Sequence, residues 1–162
     1  MTKVLPVAKL DKHYQIASNL LPQIDIFMDN LYTKEEMKMV DETKKIMEDD
    51  ALKVTATTVR VPVYRSHAES VNIEFEDEVS VEKARAALEN FSGVIVRDNP
   101  AEMIYPQPLE TSGKDAVEVG RIRKDFSIEH GINLWVCGDQ IRKGAALNAL
   151  QIAEYMIANN LA

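Results

Sequence analysis

The stretch AVEVGRIRKDFSIEHGINLWVCG, residues 116–138, decides the fold. Residues 116–126 and 132–138 both have the composition of β-strands, and a short connection centred on His130 and Gly131 separates them. Two such runs joined by a short connection that contains glycine are typical of a β-hairpin. The sequence therefore predicts a sheet with antiparallel pairing at this point of the chain.

Three helices are also predicted, two before this hairpin in the sequence and one after it. Thr33 and Glu36 form a capping box, and apolar residues at helical spacing continue from it to about residue 48. The last helix covers residues 143–160. A middle helix runs from near Ser80 to before Gly93 and is expected to bury the side chains of Val81, Ala84, Ala87 and Leu88.

Further strands are predicted at residues 54–63, a β-branched run, at 70–75, where polar and apolar side chains alternate, and at 94–98. Residues 16–32 are predicted to be packed loop with at most a short strand. Residues 99–114 form a long irregular loop of a kind that is often functional. This order of elements predicts an α+β fold, with a mixed, largely antiparallel sheet and helices packed on one face.

Length and charge limit the functions that the chain can have. With 162 residues it fits a single domain, in which residues 1–15 are expected to be a linker or lead-in and residues 16–162 the folded part. A net charge of −7 with no cluster of lysine or arginine argues against nucleic acid or an anionic membrane as partner. No apolar run is long enough to span a bilayer or to act as a secretory signal, so we expect a cytoplasmic location.

Cysteine and histidine usage bears on redox and metal chemistry. Cys137 is the only cysteine, which excludes an intrachain disulfide, and its place in an apolar strand favours a buried side chain over a nucleophile. The histidines, His13, His67 and His130, lack the spacing of a metal site. We therefore expect no metal.

A guanidinium and an imidazole lie seven residues apart, at Arg60 and His67, across a break between two predicted strands. Arginine can hold a carboxylate with two hydrogen bonds, and histidine can move a proton near neutral pH. If both serve one site, the chain must bend between them, near residues 64–66. The alternative is a solvated strand arginine and an ordinary loop histidine.

A second candidate pair lies on the first predicted helix. Glu35 and Lys38 are i, i+3 neighbours, so a carboxylate and an ammonium could face one ligand that carries both charges. The alternative is a surface ion pair with little effect on stability. Elsewhere, Arg121 and Arg123 form either an anion patch or an exposed sheet face, and Gly144 at the start of the last helix is a weak candidate for phosphate binding.

Six segments, in order, resemble the carboxy-terminal part of the aspartate-β-semialdehyde dehydrogenase family. They are HYQIASNLLPQID, YTKEEMKMVDETKKIM, TATTVRVPVYRSHAESV, YPQP, VGRIRKD and RKGAALNALQIAE. The resemblance implies a dehydrogenase carboxy-terminal domain similar to that of glyceraldehyde-3-phosphate dehydrogenase. It also implies an activity: reduction of β-aspartyl phosphate to aspartate semialdehyde with NADPH, on the route to lysine, threonine and methionine.

The resemblance implies a role for five residues. Arg60 matches the arginine that holds the substrate carboxylate, and His67 matches the histidine that exchanges a proton with the nucleophilic thiol. Glu35 matches the acid that meets the substrate amino group, and Lys38 the lysine of the phosphate site. Gln140 lies where the family has an Asn or Gln that touches the nicotinamide cofactor.

Other parts of the family's enzyme lie outside these segments, namely the amino-terminal dinucleotide-binding domain and the cysteine nucleophile. This chain alone is therefore expected to be inactive and to bind no cofactor, with NADP used by the complete enzyme. The resemblance further implies a homodimer, and a last helix, residues 143–160, that packs on the dinucleotide-binding domain. Two alternatives are a non-catalytic homodimeric scaffold and a chain that is complemented by a separate nucleotide-binding chain.

One departure from the family lies beside His67. Ser66 stands where the family has a small glycine or alanine, and Ala68 where it has a serine. A serine tolerates a positive φ less well than glycine does. The substitutions beside His67 could therefore change the orientation of its side chain relative to the family.

Overall fold

The computed structural model describes residues 14–161 in full and the backbone of residues 3–4. The chain forms two compact units, Met1–Pro62 and Val63–Ala162. Most of the expected lead-in, residues 1–15, lies outside the described residues. Its described parts, the short strands β1 (Lys3–Val4) and β2 (Tyr14–Gln15), pair antiparallel.

Helix α1 (Lys34–Met47) is the main element of the first unit. The predicted capping box is confirmed: the Thr33 hydroxyl accepts the Glu36 N–H at 3.3 Å, and the Glu36 carboxylate accepts the Thr33 N–H at 2.7 Å. The helix ends at Glu48, which adopts the left-handed conformation with φ 54°. A local capping signal therefore places the start of this helix, and the predicted end near residue 48 agrees with the structure.

The predicted strand at residues 54–63 is wrong. Burial does alternate along Leu52–Thr58, as β-branched residues favour, but residues 52–59 form no strand, and only Arg60 pairs, in an isolated bridge to Leu21. A strand needs a neighbour that takes its N–H groups. Here the Thr58 N–H binds the side chain of Glu36 instead, at 2.8 Å.

The second unit contains a four-stranded sheet of β3 (His67–Glu74), β4 (Val94–Val96), β5 (Val117–Asp125) and β6 (Gly131–Gly138). The strand order is β3-β6-β5-β4. Strands β3, β6 and β5 pair antiparallel, and β4 joins β5 in parallel, which confirms the predicted α+β class with a mixed, largely antiparallel sheet. The elements, in chain order, are β3 (His67–Glu74), α2 (Val81–Glu89), β4 (Val94–Val96), α3 (Pro108–Thr111), β5 (Val117–Asp125), β6 (Gly131–Gly138) and α4 (Leu147–Ala158).

The core of this unit lies between α2 and one face of the sheet. Its centre is Val119, Ile122 and Ile132, and partly buried apolar side chains of α2 pack against it. These include Val81, Ala84 and Leu88 as predicted, whereas Ala87 is exposed. Burial of Ala87 was a wrong prediction because residue 87 lies off the stripe that positions 81, 84 and 88 share on a helix.

The loop at residues 99–114 crosses the opposite face of the sheet and contains two short helical turns, Pro100–Glu102 and α3. The Trp135 indole N–H donates to the Pro106 carbonyl at 3.0 Å. At Gly120 the contact is so close that a Cβ atom would lie 2.4 Å from the Arg97 carbonyl oxygen and 2.6 Å from Pro106 Cδ. Glycine is required there because the backbones approach directly.

The last helix begins in a π-helical turn, Arg142–Ala146, and continues as α4. None of the residues of α4 is buried, although it is rich in apolar side chains; those more than half exposed are Leu150, Ile152, Tyr155 and Ile157. Among the described residues no helix is long and apolar enough to cross a membrane.

Candidate functional site

Glu35 and Lys38 lie on the first turns of α1, as predicted, and pair with each other. The Lys38 ammonium is 3.2 Å from the Glu35 carboxylate, and both side chains are solvent-accessible, at 49% and 36%. Hydrogen bonding to Glu35 and the charge of that carboxylate raise the pKa of Lys38. Both charges of the pair are therefore exposed to solvent. A ligand that carries an ammonium and an anionic group could bind the Glu35 carboxylate and the Lys38 ammonium in place of their mutual ion pair.

Arg60 belongs to the same unit and is held there by its backbone. Its N–H and carbonyl both pair with Leu21, at 2.9 and 3.1 Å. Its guanidinium is exposed and has no hydrogen-bond or ion-pair partner within residues 14–161. The backbone is thus fixed while the cationic end is available for an anion.

Glu36 ties the segment that carries Arg60 to the start of α1. Its two carboxylate oxygens accept the N–H groups of Thr33 and Thr58, and the residue is only 6% exposed. The hydrogen bond from the Thr33 N–H, opposed by burial and reinforced by Thr58, lowers the pKa of Glu36. The ionised Glu36 carboxylate therefore joins α1 to the segment of residues 58–60. The sequence predicted only its bond to Thr33, as part of the capping box.

His67 and Gln140 belong to the second unit. Strand β3 begins at residue 67, three residues earlier than predicted, so His67 is the first residue of the strand, opposite Gly138. Its imidazole is exposed. The chain bends at residues 62, 64 and 65, and Ser66 is buried with φ 76°, in the region that favours glycine.

The side chain of Gln140 holds this bend. Its carbonyl oxygen accepts the Ser66 N–H at 2.9 Å, across 74 residues of sequence. The Ser66 hydroxyl also lies 3.2 Å from the Ser112 hydroxyl, at the end of the loop that crosses the sheet. Two candidate residues from distant parts of the chain, His67 and Gln140, are therefore brought together through Ser66.

Asp139 is a buried charged residue beside these candidates that sequence reasoning did not single out. Its carboxylate is fully buried, forms an ion pair with Arg65 Nε at 2.6 Å, and accepts the N–H groups of Gly113 and Ile141 at 2.6 and 3.0 Å. Burial would raise the pKa of Asp139, but these donors outweigh it and lower that pKa. The available signal was an aspartate at a strand-to-helix junction, which is a common helix N-cap.

Two other sequence candidates, Gly144 and the pair of Arg121 and Arg123, have structural explanations. The Ile141, Arg142 and Lys143 N–H groups all bind Asp139, so the helix start near Gly144 does not offer them to a phosphate. Arg121 and Arg123 are exposed, at a β-bulge where the sheet register shifts. No group of three or more potential metal ligands occurs among the described residues.

Cys137 is fully buried on β6, as predicted. Burial raises the pKa of its thiol to about 11. A thiol in this state is almost entirely protonated at neutral pH and is a poor nucleophile.

The chain is similar to known proteins along nearly its whole length. The model of the family described as "Semialdehyde dehydrogenase, dimerisation domain" matches residues 2–143. Aspartate-semialdehyde dehydrogenase of Aquifex aeolicus is 53% identical over 159 residues, which are 98% of this chain and 46% of that protein.

Two solved structures are similar. Aspartate semialdehyde dehydrogenase II of Vibrio cholerae, in complex with ASA, has a TM-score of 0.85 and 49% identity over 90% of this chain and 43% of its own. Aspartate semialdehyde dehydrogenase of Candida albicans with NADP has a TM-score of 0.70 and 27% identity, covering 91% of this chain and 46% of its own. The chain spans less than half the length of these relatives, and it belongs to the semialdehyde dehydrogenase dimerisation-domain family.

Proposed function

We propose that this chain is the substrate-binding and dimerisation part of an aspartate-semialdehyde dehydrogenase. The complete enzyme would make L-aspartate 4-semialdehyde from 4-phospho-L-aspartate with NADPH, in the biosynthesis of lysine, threonine and methionine. The observation that carries the proposal is the 53% identity to a relative of that name across 98% of the chain. The charges of the first unit suit the ligand, because aspartate semialdehyde carries both a carboxylate and an ammonium group.

Within this proposal, Arg60 binds the α-carboxylate and Glu35 the α-ammonium group of the substrate. Lys38 binds phosphate, either as the free ion or on the aspartyl phosphate. Support for these roles is the exposed guanidinium of Arg60, which has no partner within residues 14–161, and the exposed Glu35–Lys38 pair. A planar guanidinium suits a carboxylate, and an ammonium suits a phosphate as a point charge.

His67 is proposed to be the proton carrier. In the oxidative direction, it takes the proton of the cysteine thiol, and the thiolate adds to the aldehyde carbon. The resulting alkoxide oxygen is stabilised by a proton held at the imidazole. The direction of that imidazole depends on Ser66, whose φ is 76° and whose N–H and hydroxyl form partly buried hydrogen bonds.

Gln140 is proposed to contact the cofactor. Its side-chain oxygen is occupied by the Ser66 N–H, while its amide nitrogen has no partner among residues 14–161 and can donate to a carboxamide oxygen. This donor fits a nicotinamide. NADP, when bound, would supply hydride chemistry, and we expect most of its contacts to come from a dinucleotide-binding domain.

Two partners follow from the proposal, a second copy of the chain and the dinucleotide-binding domain. The matched family is described as a dimerisation domain, which supports a homodimer. The exposed apolar side chains of the last helix support packing on the dinucleotide-binding domain, whether in the same chain or supplied by another.

Isothermal titration with aspartate semialdehyde, or a stable analogue, tests the proposal. We expect Arg60→Ala to weaken binding at least about 10-fold, since it removes a charge-assisted hydrogen bond. His67→Ala should bind the ligand nearly as well as the unmodified chain. Arg123→Ala is the matched control, because Arg123 is an exposed arginine whose side chain bonds only to the nearby Arg121 carbonyl.

Equal binding by the Arg60 and Arg123 variants would refute the assignment of Arg60. No binding by the unmodified chain, together with a folded dimer in light scattering, would favour the alternative of a homodimeric scaffold without a substrate site of its own.

A further inference from the structure

The direction of His67 depends on the conformation of the residue before it. Ser66 is 4% exposed and has φ 76°, which costs a residue with a Cβ atom roughly 1 kcal/mol compared with the right-handed region. Such a conformation persists only where surrounding contacts impose it. If Ser66 relaxed to negative φ, the chain would enter β3 along another path, and the imidazole would point elsewhere.

Four contacts hold this turn. Arg65 Nε lies 2.6 Å from an Asp139 carboxylate oxygen, and the Ser66 N–H donates to Gln140 at 2.9 Å. The Ser112 hydroxyl lies 3.2 Å from the Ser66 hydroxyl and donates to the Arg65 carbonyl at 3.5 Å. The turn before His67 is therefore held from two sides, by the junction between β6 and the last helix and by Ser112, and Asp139 provides the only ion pair among these contacts.

Asp139 is itself immobilised on its other side. Its carboxylate accepts the Gly113 N–H at 2.6 Å and the Ile141 N–H at 3.0 Å, and its backbone carbonyl accepts the N–H groups of Arg142 and Lys143. The side chain has no exposed surface. It therefore joins three segments: the turn before His67, the end of the loop at residues 99–114, and the start of the last helix.

We propose that Asp139 is a positioning residue for His67, acting through Arg65 and the left-handed turn at Ser66. The inference rests on the proposed function only in taking His67 as the proton carrier. Asp139 does not touch the substrate in this role. It fixes the path of the backbone by which the imidazole is presented.

Nuclear magnetic resonance of the chain tests the proposal, with the ring signals of His67 and His130 and the amide exchange of Ser66 as readouts. His67→Gln assigns the His67 ring. The main variant is Arg65→Gln, which removes the ion pair between Arg65 and Asp139. Asp139 keeps its hydrogen bonds from the Gly113 and Ile141 N–H groups. Arg142→Gln is the control, because it also removes one positive charge near Asp139, from a side chain whose own ion pair is with Asp115.

We expect Arg65→Gln to speed exchange of the Ser66 amide at least tenfold and to shift or broaden the His67 ring signal. The His130 ring and the amides of the β3–β6 ladder should stay unchanged. Arg65→Lys should restore part of the Ser66 protection, because it keeps a cation beside Asp139. Asp139→Asn should reproduce the Arg65→Gln signature if it folds; if it does not fold, Arg65→Gln decides alone.

An unchanged His67 ring and Ser66 amide in Arg65→Gln would overturn the proposal, and so would equal effects of Arg65→Gln and Arg142→Gln. These signals do not depend on catalysis or on ligand binding. Failure of the substrate titration would therefore count against the proposed function, whereas failure here would count against Asp139 alone.

Discussion

Replacing Glu36 by glutamine should destabilise the first unit, because two backbone N–H groups donate to the Glu36 carboxylate. The carboxylate accepts two backbone N–H groups, from Thr33 at 2.7 Å and from Thr58 at 2.8 Å, at a residue that is 6% exposed. Glutamine keeps one acceptor oxygen and turns its N–H₂ group toward the other donor. One charge-assisted bond is lost and the other becomes neutral, so we expect a loss of about 2–4 kcal/mol.

Hydrogen exchange of α1 and of residues 54–60 measures this loss without assuming that both units unfold together. A change of 2 kcal/mol corresponds to about 30-fold faster exchange. Glu42→Gln, an exposed change on the same helix, should alter stability by less than about 0.5 kcal/mol. Equal exchange in the Glu36 and Glu42 variants would show that Glu36 does not tie the Arg60 segment to the helix.

Three further outcomes are expected. The pKa of Glu36 is lowered in the folded chain, so its stabilising effect is complete above its ordinary pKa of 4.5 and is lost as pH falls through the lower folded value. As pH falls from 6 to 3, the melting temperature should therefore fall less steeply in Glu36→Gln than in the unmodified chain. Gly120→Ala should cost about 1–3 kcal/mol or prevent folding, because its Cβ would lie 2.4 Å from the Arg97 carbonyl oxygen, whereas Gly144→Ala, with 3.8 Å to its nearest neighbour, should be tolerated in urea titrations. Cys137, with a thiol pKa of about 11, should react with a disulfide reagent at pH 8 far more slowly in the folded chain than in urea, and rapid labelling of the folded chain would contradict its burial.

Elements with local signals were predictable from the sequence. The capping box at Thr33 and Glu36 fixed the start of α1, and the two runs around Gly131 gave the hairpin of β5 and β6, because in both cases the deciding residues are close in sequence. The run at 54–63 failed for the converse reason. Its β-branched residues favour a strand, but a strand also needs a pairing partner that is distant in sequence. Here the Thr58 N–H donates to the Glu36 carboxylate instead of to a neighbouring strand.

The candidate site shows the same limit. Exposed charged residues such as Glu35, Lys38 and Arg60 could be nominated from the resemblance of short segments. The contacts that hold the turn at Ser66 could not be predicted. The resemblance nominates Gln140 only for the cofactor, and Gln140 is 74 residues away from Ser66, while Asp139 is 26 residues away from Gly113. Contacts of this kind depend on the tertiary fold and leave no periodic pattern in the sequence.

The most direct test of the proposed substrate-binding role is to map aspartate semialdehyde onto the ¹⁵N-labelled chain by chemical-shift changes. We predict saturable changes concentrated at the amides of Glu35, Lys38 and Arg60 in the first unit. Changes that saturate only at other residues, or no change at millimolar ligand, would contradict substrate binding by these side chains.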